Sequence, residues 1–444
     1  MDGKSNIQLK IGWESGLVAW EHENKLKLGR IRHRLNPANR YLRVRSVNVT
    51  RNDRFLIISF EQSPLIRVVD LEKLAYLPSK YEGHTQTVRL TSTTHDSKAF
   101  FTASWDGTYR KFDLASGKCL QTLSGLARSP TCFLSPDEKY LFTASYDSDY
   151  NLESKNAGWC WDLNTVKMIH SYEHNSDRLV HESIDIACDE GGVYTGSDDG
   201  RAYRWPLSGD NPLVEYFSCE GSVRKLAVSR NLFAAACTDG TVRVHDKISG
   251  KQIHNFTHPE SDLREVRIAK DEKRLWCAGG NGFVYCYNLQ DGELLYNKWI
   301  HRSWIWSICL TGNERILVTG GGDGIVFFLA ADTGLILAAL YNLREEDFLM
   351  TCPPDNTFPS GIFYTSGKKN IQLVLKDQAA DSHVVLDETD PRYTSYFDRH
   401  NLKNLIMTRL KNNAHYNQLT DSYLKNKKLL VESKQRNDTK MLKA

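Results

Sequence analysis

Residues 101–113 read Phe101-Thr102-Ala103-Ser104-Trp105-Asp106-Gly107-Thr108-Tyr109-Arg110-Lys111-Phe112-Asp113. Aromatic and β-branched residues stand on both sides of an Asp-Gly pair, which is the usual composition of two short strands joined by a tight turn. Glycine suits the turn because it adopts positive φ without a steric cost. The segment therefore predicts a β-hairpin that ends in an aromatic residue followed by an acidic one.

This hairpin pattern recurs along the chain. Related turns occur at Asp199-Gly200, Asp239-Gly240, Asn281-Gly282 and Asp323-Gly324. Counted through Gly107, Gly158, Gly200, Gly240, Gly282 and Gly324, successive turn glycines are 51, 42, 40, 42 and 42 residues apart. A period of about 40–45 residues with four short strands per unit is typical of a β-propeller, in which each unit is one blade. We therefore predict an all-β propeller.

Counting back from each hairpin predicts where the innermost strand of each unit begins. The expected starts are Val44-Arg45, Val88-Arg89, Ser129-Pro130, His181-Glu182, Val223-Arg224, Leu263-Arg264, Ile305-Trp306 and Asp347-Phe348. Eight starts predict eight blades, with seven as the alternative if the hairpins at the two ends of the chain overlap differently. A hairpin near residues 11–21 has no inner strand before it, so we expect strands from both ends of the chain to close the circle.

The same residues resemble the WD-repeat family. Gly83-His84 stands 28 residues before Phe112-Asp113, where the family has its Gly-His and Trp-Asp pairs, and Trp161-Asp162 is a literal match. The resemblance covers about residues 40–380. It implies a buried hydrogen-bond chain within a blade, formed here by His84, Ser104 and Asp106 and truncated at Phe112. The closing segment, up to Tyr396-Phe397-Asp398, is similar to that of bacterial WD-repeat propellers, several of them coupled to caspase-like proteases.

We expect two parts, a propeller of residues 1–390 and a basic helical extension of residues 391–444. In the extension, apolar residues fall at three- and four-residue steps, which predicts an amphipathic helix, and a second, lysine-rich helical pattern follows. Residues 398–444 hold 11 Lys and Arg against 4 Asp and Glu, so 11 − 4 = +7 of charge lies there, against +3 for the whole chain. These helices either pack on the propeller and extend into solvent, or bind a partner or an anionic surface.

Composition and cysteine usage are those of an ordinary globular protein, with 25% charged and 41% hydrophobic residues. The ten cysteines are scattered singly without a C-x-x-C pair, so neither a zinc site nor a disulfide framework is indicated. The sequence shows no secretory signal pattern and no long apolar run. We therefore expect a cytoplasmic protein with reduced thiols.

The sequence contains none of the common hydrolytic, phosphate-binding or metal-binding motifs. In the long loop 147–156, Asp147, Asp149 and Asn151 alternate, but Leu152 and Gly158 stand where a calcium loop needs Gly and Glu, which favours a plain solvated loop. We expect a protein that is not an enzyme and that has no cofactor and no metal. Catalytic residues that converge from several blades would escape a search by linear spacing.

The candidate binding site is the ring of residues at the start of the inner strands. In WD-repeat propellers, which this chain resembles, these positions surround the mouth of the channel and contact ligands. Here they are Arg45, Arg89, Pro130, Glu182, Arg224, Arg264, Trp306 and Phe348, and Trp299, His301 and Trp304 add to the rim. Four arginines against one glutamate predict an anionic ligand, because guanidinium groups bind carboxylates and phosphates in a bidentate manner. The alternative is that the arginines pair with acidic residues of the protein and the aromatic residues pack between blades.

Three functional hypotheses follow. The first is a non-enzymatic protein-interaction scaffold that binds an acidic or phosphorylated segment of a partner at the channel mouth, with a second contact through the C-terminal helices. The second is a nucleic-acid or anionic-membrane adaptor that acts through the basic tail, residues 412–444. The third is a small-molecule-binding or enzymatic propeller, for which Glu182 is the titratable candidate.

Overall fold

The computed structural model describes residues 42–124, 131–145, 157–174, 185–208, 211–258, 260–342 and 348–352, and the backbone of strands within 6–11, 362–365, 371–377 and 382–386. By its contacts the chain divides into two compact units. One comprises residues 34–328 and 340–348, and the other comprises residues 1–33, 329–339 and 349–444. All secondary structure in the described residues is β-strand, and no helix long and apolar enough to cross a membrane occurs among them.

The second unit contains a three-stranded sheet. Its strand order is β1-β32-β33, with β1 at Asn6–Ile11, β32 at Ile371–Asp377 and β33 at Ser382–Leu386. Strands β1 and β32 pair antiparallel, so a strand from the N-terminal end does meet one from the C-terminal end.

The repeats form antiparallel sheets in which each strand pairs with the next one along the chain. The first three blades have these strands: β2 Val44–Val49, β3 Phe55–Phe60, β4 Ile66–Asp70 and β5 Ala75–Tyr76; β6 Val88–Thr93, β7 Ala99–Ser104, β8 Tyr109–Asp113 and β9 Cys119–Leu123; β10 Thr131–Leu134, β11 Tyr140–Ser145, β12 Ala157–Asp162 and β13 Lys167–Glu173.

The next two blades keep the same order. Their strands are β14 Asp185–Asp189, β15 Gly192–Gly196, β16 Arg201–Trp205 and β17 Val214–Ser218; β18 Val223–Val228, β19 Leu232–Cys237, β20 Thr241–Asp246 and β21 Gln252–Thr257.

The last two blades complete the ring. Their strands are β22 Leu263–Ile268, β23 Arg274–Gly279, β24 Phe283–Asn288 and β25 Leu294–Trp299; β26 Ile305–Leu310, β27 Ile316–Gly321, β28 Ile325–Ala330 and β29 Ile336–Asn342. The seventh sheet continues with β30 Phe348–Cys352 and β31 Ile362–Thr365.

The innermost strands form a closed ring within the described residues. Neighbours around the ring are β2, β6, β10, β14, β18, β22 and β26, and β26 contacts β2 again. At the closure, the Ser307 hydroxyl is hydrogen-bonded to the backbone N and O of Val47, at 3.2 and 3.3 Å. The propeller therefore has seven blades. The preferred number of eight was wrong, because the strand at Phe348 extends the seventh sheet and starts no new blade.

Five of the eight inner-strand starts expected from the sequence are confirmed: Val44, Val88, Val223, Leu263 and Ile305. Five of the repeated turn glycines adopt the positive φ that the hairpin requires, from Gly107 at 77° to Gly324 at 80°. Gly158 is an exception and was wrongly assigned to a turn. It lies inside β12, opposite Ala144, because the longer loop between β11 and β12 shifts the count in this blade.

The hydrophobic core lies between the blades. One cluster joins Ala234 and Val244 of the fifth blade to Leu263 and Leu275 of the sixth, and similar clusters join other neighbouring pairs. A single twisted sheet cannot bury both of its faces, so each blade is stabilised by its two neighbours.

A second link between blades lies in the loops between first and second strands. In five blades a residue with left-handed φ accepts a backbone N–H from the preceding blade. These residues and the donors are Asp53 from Gly312, Ser97 from Asn52, Glu138 from His95, Glu272 from Asn231, and Glu314 from Lys270. In each case an Asn or Asp precedes the residue and a Lys or Arg follows it, which is a sequence signal separate from the hairpin pattern.

The calcium-like loop 147–156, the hairpin after residue 11 and the helical extension lie outside the described residues. The domain boundaries at 1–390 and 391–444 therefore stay predictions.

Candidate functional site at the channel mouth

Five of the predicted ring residues meet at one end of the central channel. Each is the second residue of its inner strand, and together they line a single cavity: Arg45, Arg89, Arg224, Arg264 and Trp306. We call these five residues, with Trp304, the channel mouth. The cavity has a volume of about 40 Å³. This is space for a few water molecules at most, so a larger ligand would lie across the mouth rather than inside the channel.

A β-bulge presents each of these five side chains. In every one of the five inner strands the pairing register shifts between the first and the third residue, and the residue left without a partner position is the ring residue. In β2, for example, Val44 is opposite Phe60 and Ser46 is opposite Ser59, so Arg45 is the extra residue. A bulge bends the strand and redirects the side chain at that position. The bulges thus give the mouth residues a common orientation, which the regular alternation of side chains along a strand would not give them.

Arginine and tryptophan side chains stack on each other on one side of the mouth. The indole rings of Trp304 and Trp306 are stacked, with centroids 5.3 Å apart and an interplanar angle of 24°. The Arg264 guanidinium lies 4.3 Å from the Trp304 centroid and 5.1 Å from that of Trp306. Arg45 lies 4.7 Å from the Trp306 centroid on β26 of the neighbouring blade. Trp304 remains 37% exposed, so it presents a large apolar surface at the rim.

Each of three mouth arginines has a carboxylate partner. Arg45 Nε is 3.2 Å from Glu61, Arg224 Nη1 is 3.1 Å from Asp198, and Arg264 Nη2 is 2.6 Å from Asp262. These carboxylates come from turns and connecting loops, and the count of inner-strand residues therefore overlooked them. The expectation of four arginines opposed by a single glutamate was wrong, and the alternative in which arginines pair within the protein is partly confirmed.

The positive charge of the cavity lining is offset by these partners. Five basic residues line the cavity, the four mouth arginines and Lys225, against the two acidic residues Asp185 and Glu265, so the lining carries 5 − 2 = +3. Glu61, Asp198 and Asp262 bring the sum to 5 − 5 = 0. Below the arginines, Lys225 Nζ is 3.1 Å from Asp185. Both acidic groups are therefore neighbours of lysine or arginine rather than open anionic sites.

Glu265 is the titratable group of the cavity with a clear perturbation. Burial raises the pKa of its carboxyl, and the nearby charge of Arg267, 3.3 Å away, opposes that effect. A raised carboxyl pKa can mark a catalytic acid, but a structural ion pair produces it as well. The contact with Arg267 and the small volume of the cavity that Glu265 lines favour the structural role.

Of the described ring and rim residues, Phe348, Trp299 and His301 are not part of the cavity lining. Phe348 is fully buried, and its ring packs edge-on against Tyr76 of β5, the outermost strand of the first blade, at 5.1 Å. Its assignment to the ring was wrong, because the ring has no eighth position. Glu182 and Pro130 lie outside the described residues. Trp299 is exposed at the end of the outer strand β25, whereas His301 is fully buried and does not reach the rim.

The hydrogen-bond chain of the second blade has a different hydroxyl from the expected one. His84 Nδ1 is 2.9 Å from Asp106 Oδ2, but His84 Nε2 is 2.7 Å from Thr102 rather than from Ser104. Ser104 Oγ instead donates to the backbone oxygen of Gln86. The predicted hydroxyl, that of Ser104, lies two residues from the actual one, that of Thr102. Both side chains lie on the same face of the strand, because side chains alternate between the two faces.

The same chain recurs in two further blades. In the fourth blade it is complete, since His174 contacts Asp199 at 3.0 Å and Thr195 at 2.8 Å, and Trp205 Nε1 donates to Thr195 at 2.7 Å. In the seventh blade, His301 contacts Asp323 and Thr319 at 2.9 and 2.8 Å. These side chains are buried and fix blade geometry, so they are structural residues. In the part of the chain described, no group of His, Cys, Asp and Glu is arranged to hold a metal ion.

Known proteins share the repeat and the fold. The family model "WD domain, G-beta repeat" matches residues 293–328. WD repeat-containing protein 55 of Rattus norvegicus is 25% identical over 36% of this chain and 40% of its own length. U3 small nucleolar RNA-associated protein 15 homolog of Xenopus tropicalis is 21% identical over 53% of this chain and 45% of its own length. The chain thus spans less than half the length of these curated relatives.

A solved structure agrees in fold. The WD40 β-propeller domain of Doa1 superposes with a TM-score of 0.55 at 16% identity, over 65% of this chain and 94% of that domain. Its identity is low enough that the likeness concerns the fold alone. The period of the hairpins, the closed ring of seven blades, the His-Thr-Asp chains and these likenesses together show that the chain folds as a WD-repeat β-propeller.

Proposed function

We propose that this protein is an interaction scaffold that binds an acidic or phosphorylated segment of a partner protein across the channel mouth. The observation that carries the proposal is the set of bulges, which turn four arginines and a tryptophan toward one opening. Trp and Arg are the residue types that dominate binding energy at protein interfaces. The narrow cavity favours a partner that lies over the opening and not a small molecule within it.

The internal carboxylates shape the expected binding. An incoming carboxylate or phosphate must compete with Glu61, Asp198 and Asp262 for the arginines, so part of its attraction replaces an existing ion pair. Those same contacts hold the guanidinium groups in place, which lowers the entropy cost of binding. We expect the affinity to decrease with added salt, and an aromatic or aliphatic partner side chain to pack on Trp304.

The test uses labelled nine-residue peptide pools that are identical except for a central serine, glutamate or phosphoserine. Fluorescence anisotropy with the full chain should show binding in the order phosphoserine, glutamate, serine. The variant Arg45→Gln, Arg89→Gln, Arg224→Gln should lose this preference. A control with the same charge change at exposed positions, Lys118→Gln, Lys167→Gln, Lys251→Gln, should keep it. Equal binding of all pools, or equal loss in both variants, would refute the proposal.

A second candidate function is that of a nucleic-acid or anionic-membrane adaptor. Two observations favour it. Residues 398–444 carry a charge of +7, and one relative is named a small nucleolar RNA-associated protein. A single-stranded RNA oligonucleotide and vesicles with anionic lipid are the probes. Truncation after Lys411 should abolish binding to one of them, while the mouth variant should bind as the wild-type chain does. The C-terminal helices would also be the second contact in the scaffold proposal.

The absence of enzymatic activity and of a cofactor stays a prediction, as does the cytoplasmic location, which rests on the scattered cysteines of the sequence.

A further inference from the structure

The five ring residues that line the cavity belong to neighbouring blades and follow a symmetric order. Around the ring, the inner strands β18, β22, β26, β2 and β6 adjoin one another in this sequence. The second residues of these strands are, in the same sequence, Arg224, Arg264, Trp306, Arg45 and Arg89. Trp306 is therefore at the centre of an arc, with two arginines on each side. The order is hidden in the linear sequence, because the arc continues from the seventh blade to the first.

The aromatic centre of the arc is held in place by the protein and is open to solvent at the rim. Trp304, in the loop before β26, stacks on Trp306, and its backbone oxygen accepts a hydrogen bond from the backbone N of Gly322 at 2.9 Å. A Cβ at Gly322 would lie 3.2 Å from Trp306 Nε1, so the turn of the seventh blade supports this indole closely. Because the rings are already positioned, a partner side chain that packs on exposed Trp304 orders little of the protein on binding.

The two arginines next to the tryptophans lie close to each other. The guanidinium carbons of Arg45 and Arg264 are 4.7 and 5.1 Å from the ring centroid of Trp306, so they are at most 4.7 + 5.1 = 9.8 Å apart. An extended chain advances about 3.3 Å per residue, so about three residues cover that distance. Acidic residues on the two sides of one aromatic residue would therefore reach both guanidinium groups while the aromatic ring contacts the indoles.

Charge alone gives this mouth little affinity for an anion. The basic residues of the lining are balanced by carboxylates of the protein, so an acidic ligand meets no net charge. A guanidinium group has several N–H donors, and Arg264 donates from Nε and Nη2 to one oxygen of Asp262, at 3.0 and 2.6 Å. One carboxylate does not use all of these donors, so a second carboxylate can bind. Aromatic stacking then supplies the affinity that the balanced charge does not.

We propose that the channel mouth binds an acidic-aromatic segment of a partner protein, in which one aromatic side chain stacks on Trp304 and acidic residues on both sides of it pair with Arg45 and Arg264. This inference deepens the proposed scaffold function and rests on it. Segments in which acidic and aromatic residues alternate are typically disordered when free. The partner segment is thus flexible before binding, a phosphate is not required, and the order of its residues matters as well as its charge.

The experiment compares labelled nine-residue peptides by fluorescence anisotropy with the full chain. The first peptide has a central tryptophan with Asp-Glu before it and Glu-Asp after it, and the second has the same residues with the tryptophan moved to one end. Both peptides carry the same charge, so a difference in affinity comes from the order alone. We expect the first to bind about two- to tenfold more tightly, which corresponds to one aromatic pair. A third peptide, with Asn and Gln in place of Asp and Glu, is the uncharged reference.

Two matched variants assign the order dependence to one tryptophan. Trp304→Leu should bind the first two peptides equally, and both more tightly than the uncharged one. Trp299→Leu changes a tryptophan that is 52% exposed, against 37% for Trp304, and that lies on the outer strand β25. This control should keep the preference for the central tryptophan.

The outcomes separate this inference from the scaffold function. If the wild-type chain binds the two acidic peptides equally, and both more tightly than the uncharged one, the acidic-aromatic order is wrong and the scaffold function stands. Acidic peptides that bind no better than the uncharged one would overturn both. Loss of the preference in Trp299→Leu, or equally tight binding of a phosphoserine peptide without an aromatic residue, would also contradict the inference. The decisive comparison is between peptides on the wild-type chain, so it does not depend on how well the variants fold.

Discussion

The carboxylate of Asp106 accepts several hydrogen bonds within the second blade. It accepts hydrogen bonds from His84, from Thr108 and from the backbone of Thr85, and its side chain is nearly buried. Burial alone would raise the pKa of Asp106, but these hydrogen bonds outweigh it and hold the pKa well below its ordinary value. The folded state therefore prefers the ionised carboxylate.

We expect Asp106→Asn to lower the free energy of unfolding by about 1.5–3 kcal/mol at pH 7, since it removes a charged acceptor from these hydrogen bonds. Because the folded pKa is depressed, the stabilisation is complete above the ordinary value of 3.8 and is lost as the pH falls from there toward the folded pKa. Urea unfolding at pH 7 and at pH 3 should show a smaller difference between variant and wild type at pH 3. For comparison, exposed Asp271→Asn should change stability by less than about 0.5 kcal/mol.

Trp205 completes the hydrogen-bond chain of the fourth blade, and its position is occupied by Phe112 in the second. Trp205→Phe removes the donor to Thr195 but keeps an aromatic ring, and the second blade folds without such a donor. We expect a loss of about 1–2 kcal/mol in the free energy of unfolding, measured by chemical denaturation. The matched variant Trp161→Phe, which removes the donor to Thr143 at a half-buried position, should cost less. An equal or larger cost at Trp161 would contradict this assignment.

Between elements, the loop residues with left-handed φ link five of the blades to the preceding one. Glu272, at φ 55°, accepts from the backbone and side chain of Asn231 and from Ser229, at 2.6–2.8 Å. A non-glycine residue at such φ is strained, so the hydrogen bonds offset a local cost. Burial would raise the pKa of Glu272, but the hydrogen bonds lower it overall.

We expect Glu272→Ala to lower the free energy of unfolding by about 1–2 kcal/mol, because it keeps the strained φ and loses the contacts. Glu272→Gly should cost less, since glycine removes the strain. The depressed pKa means that the Glu272 contribution is present above its ordinary value of 4.5 and decreases as the pH falls below it. Thermal denaturation of both variants at pH 7 and pH 4 checks this, and a larger loss for the glycine variant would contradict it.

The repeated elements also show what the sequence could and could not predict. The turn at Gly107 and its equivalents was predictable because positive φ restricts the residue type, and the spacing then gave the blades. Gly158 was misplaced because a long loop altered the spacing within one blade. The bulge at Arg45 was invisible, since it depends on how two strands register and not on the residue itself. Glu61 and Asp198 reach Arg45 and Arg224 from turns elsewhere in the chain, and proximity of that kind has no periodicity in the sequence.

At the scale of the whole molecule, the closure of the ring determines which part of the chain the propeller needs in order to fold. The inner strand β26 contacts β2, and Gly320 of β27 lies so close to Val44 and Val47 that a Cβ there would be 2.5 Å from Val44. The first and seventh blades thus bury each other's faces inside residues 34–348. The strand β1 pairs instead in the three-stranded sheet of the other unit.

A chain truncated to residues 34–348 should therefore stay folded and unfold in one cooperative transition, with a β-rich circular dichroism spectrum like that of the full chain. A chain truncated to residues 34–300 lacks the seventh blade and leaves the Val44 face and the sixth blade uncovered, so it should aggregate or melt at a much lower temperature. The comparison also tests whether strands from the two ends are needed to close the circle. If the 34–348 chain were insoluble while the full chain is folded, the terminal strands would be essential to the propeller, and the contact between β26 and β2 would be insufficient to close it.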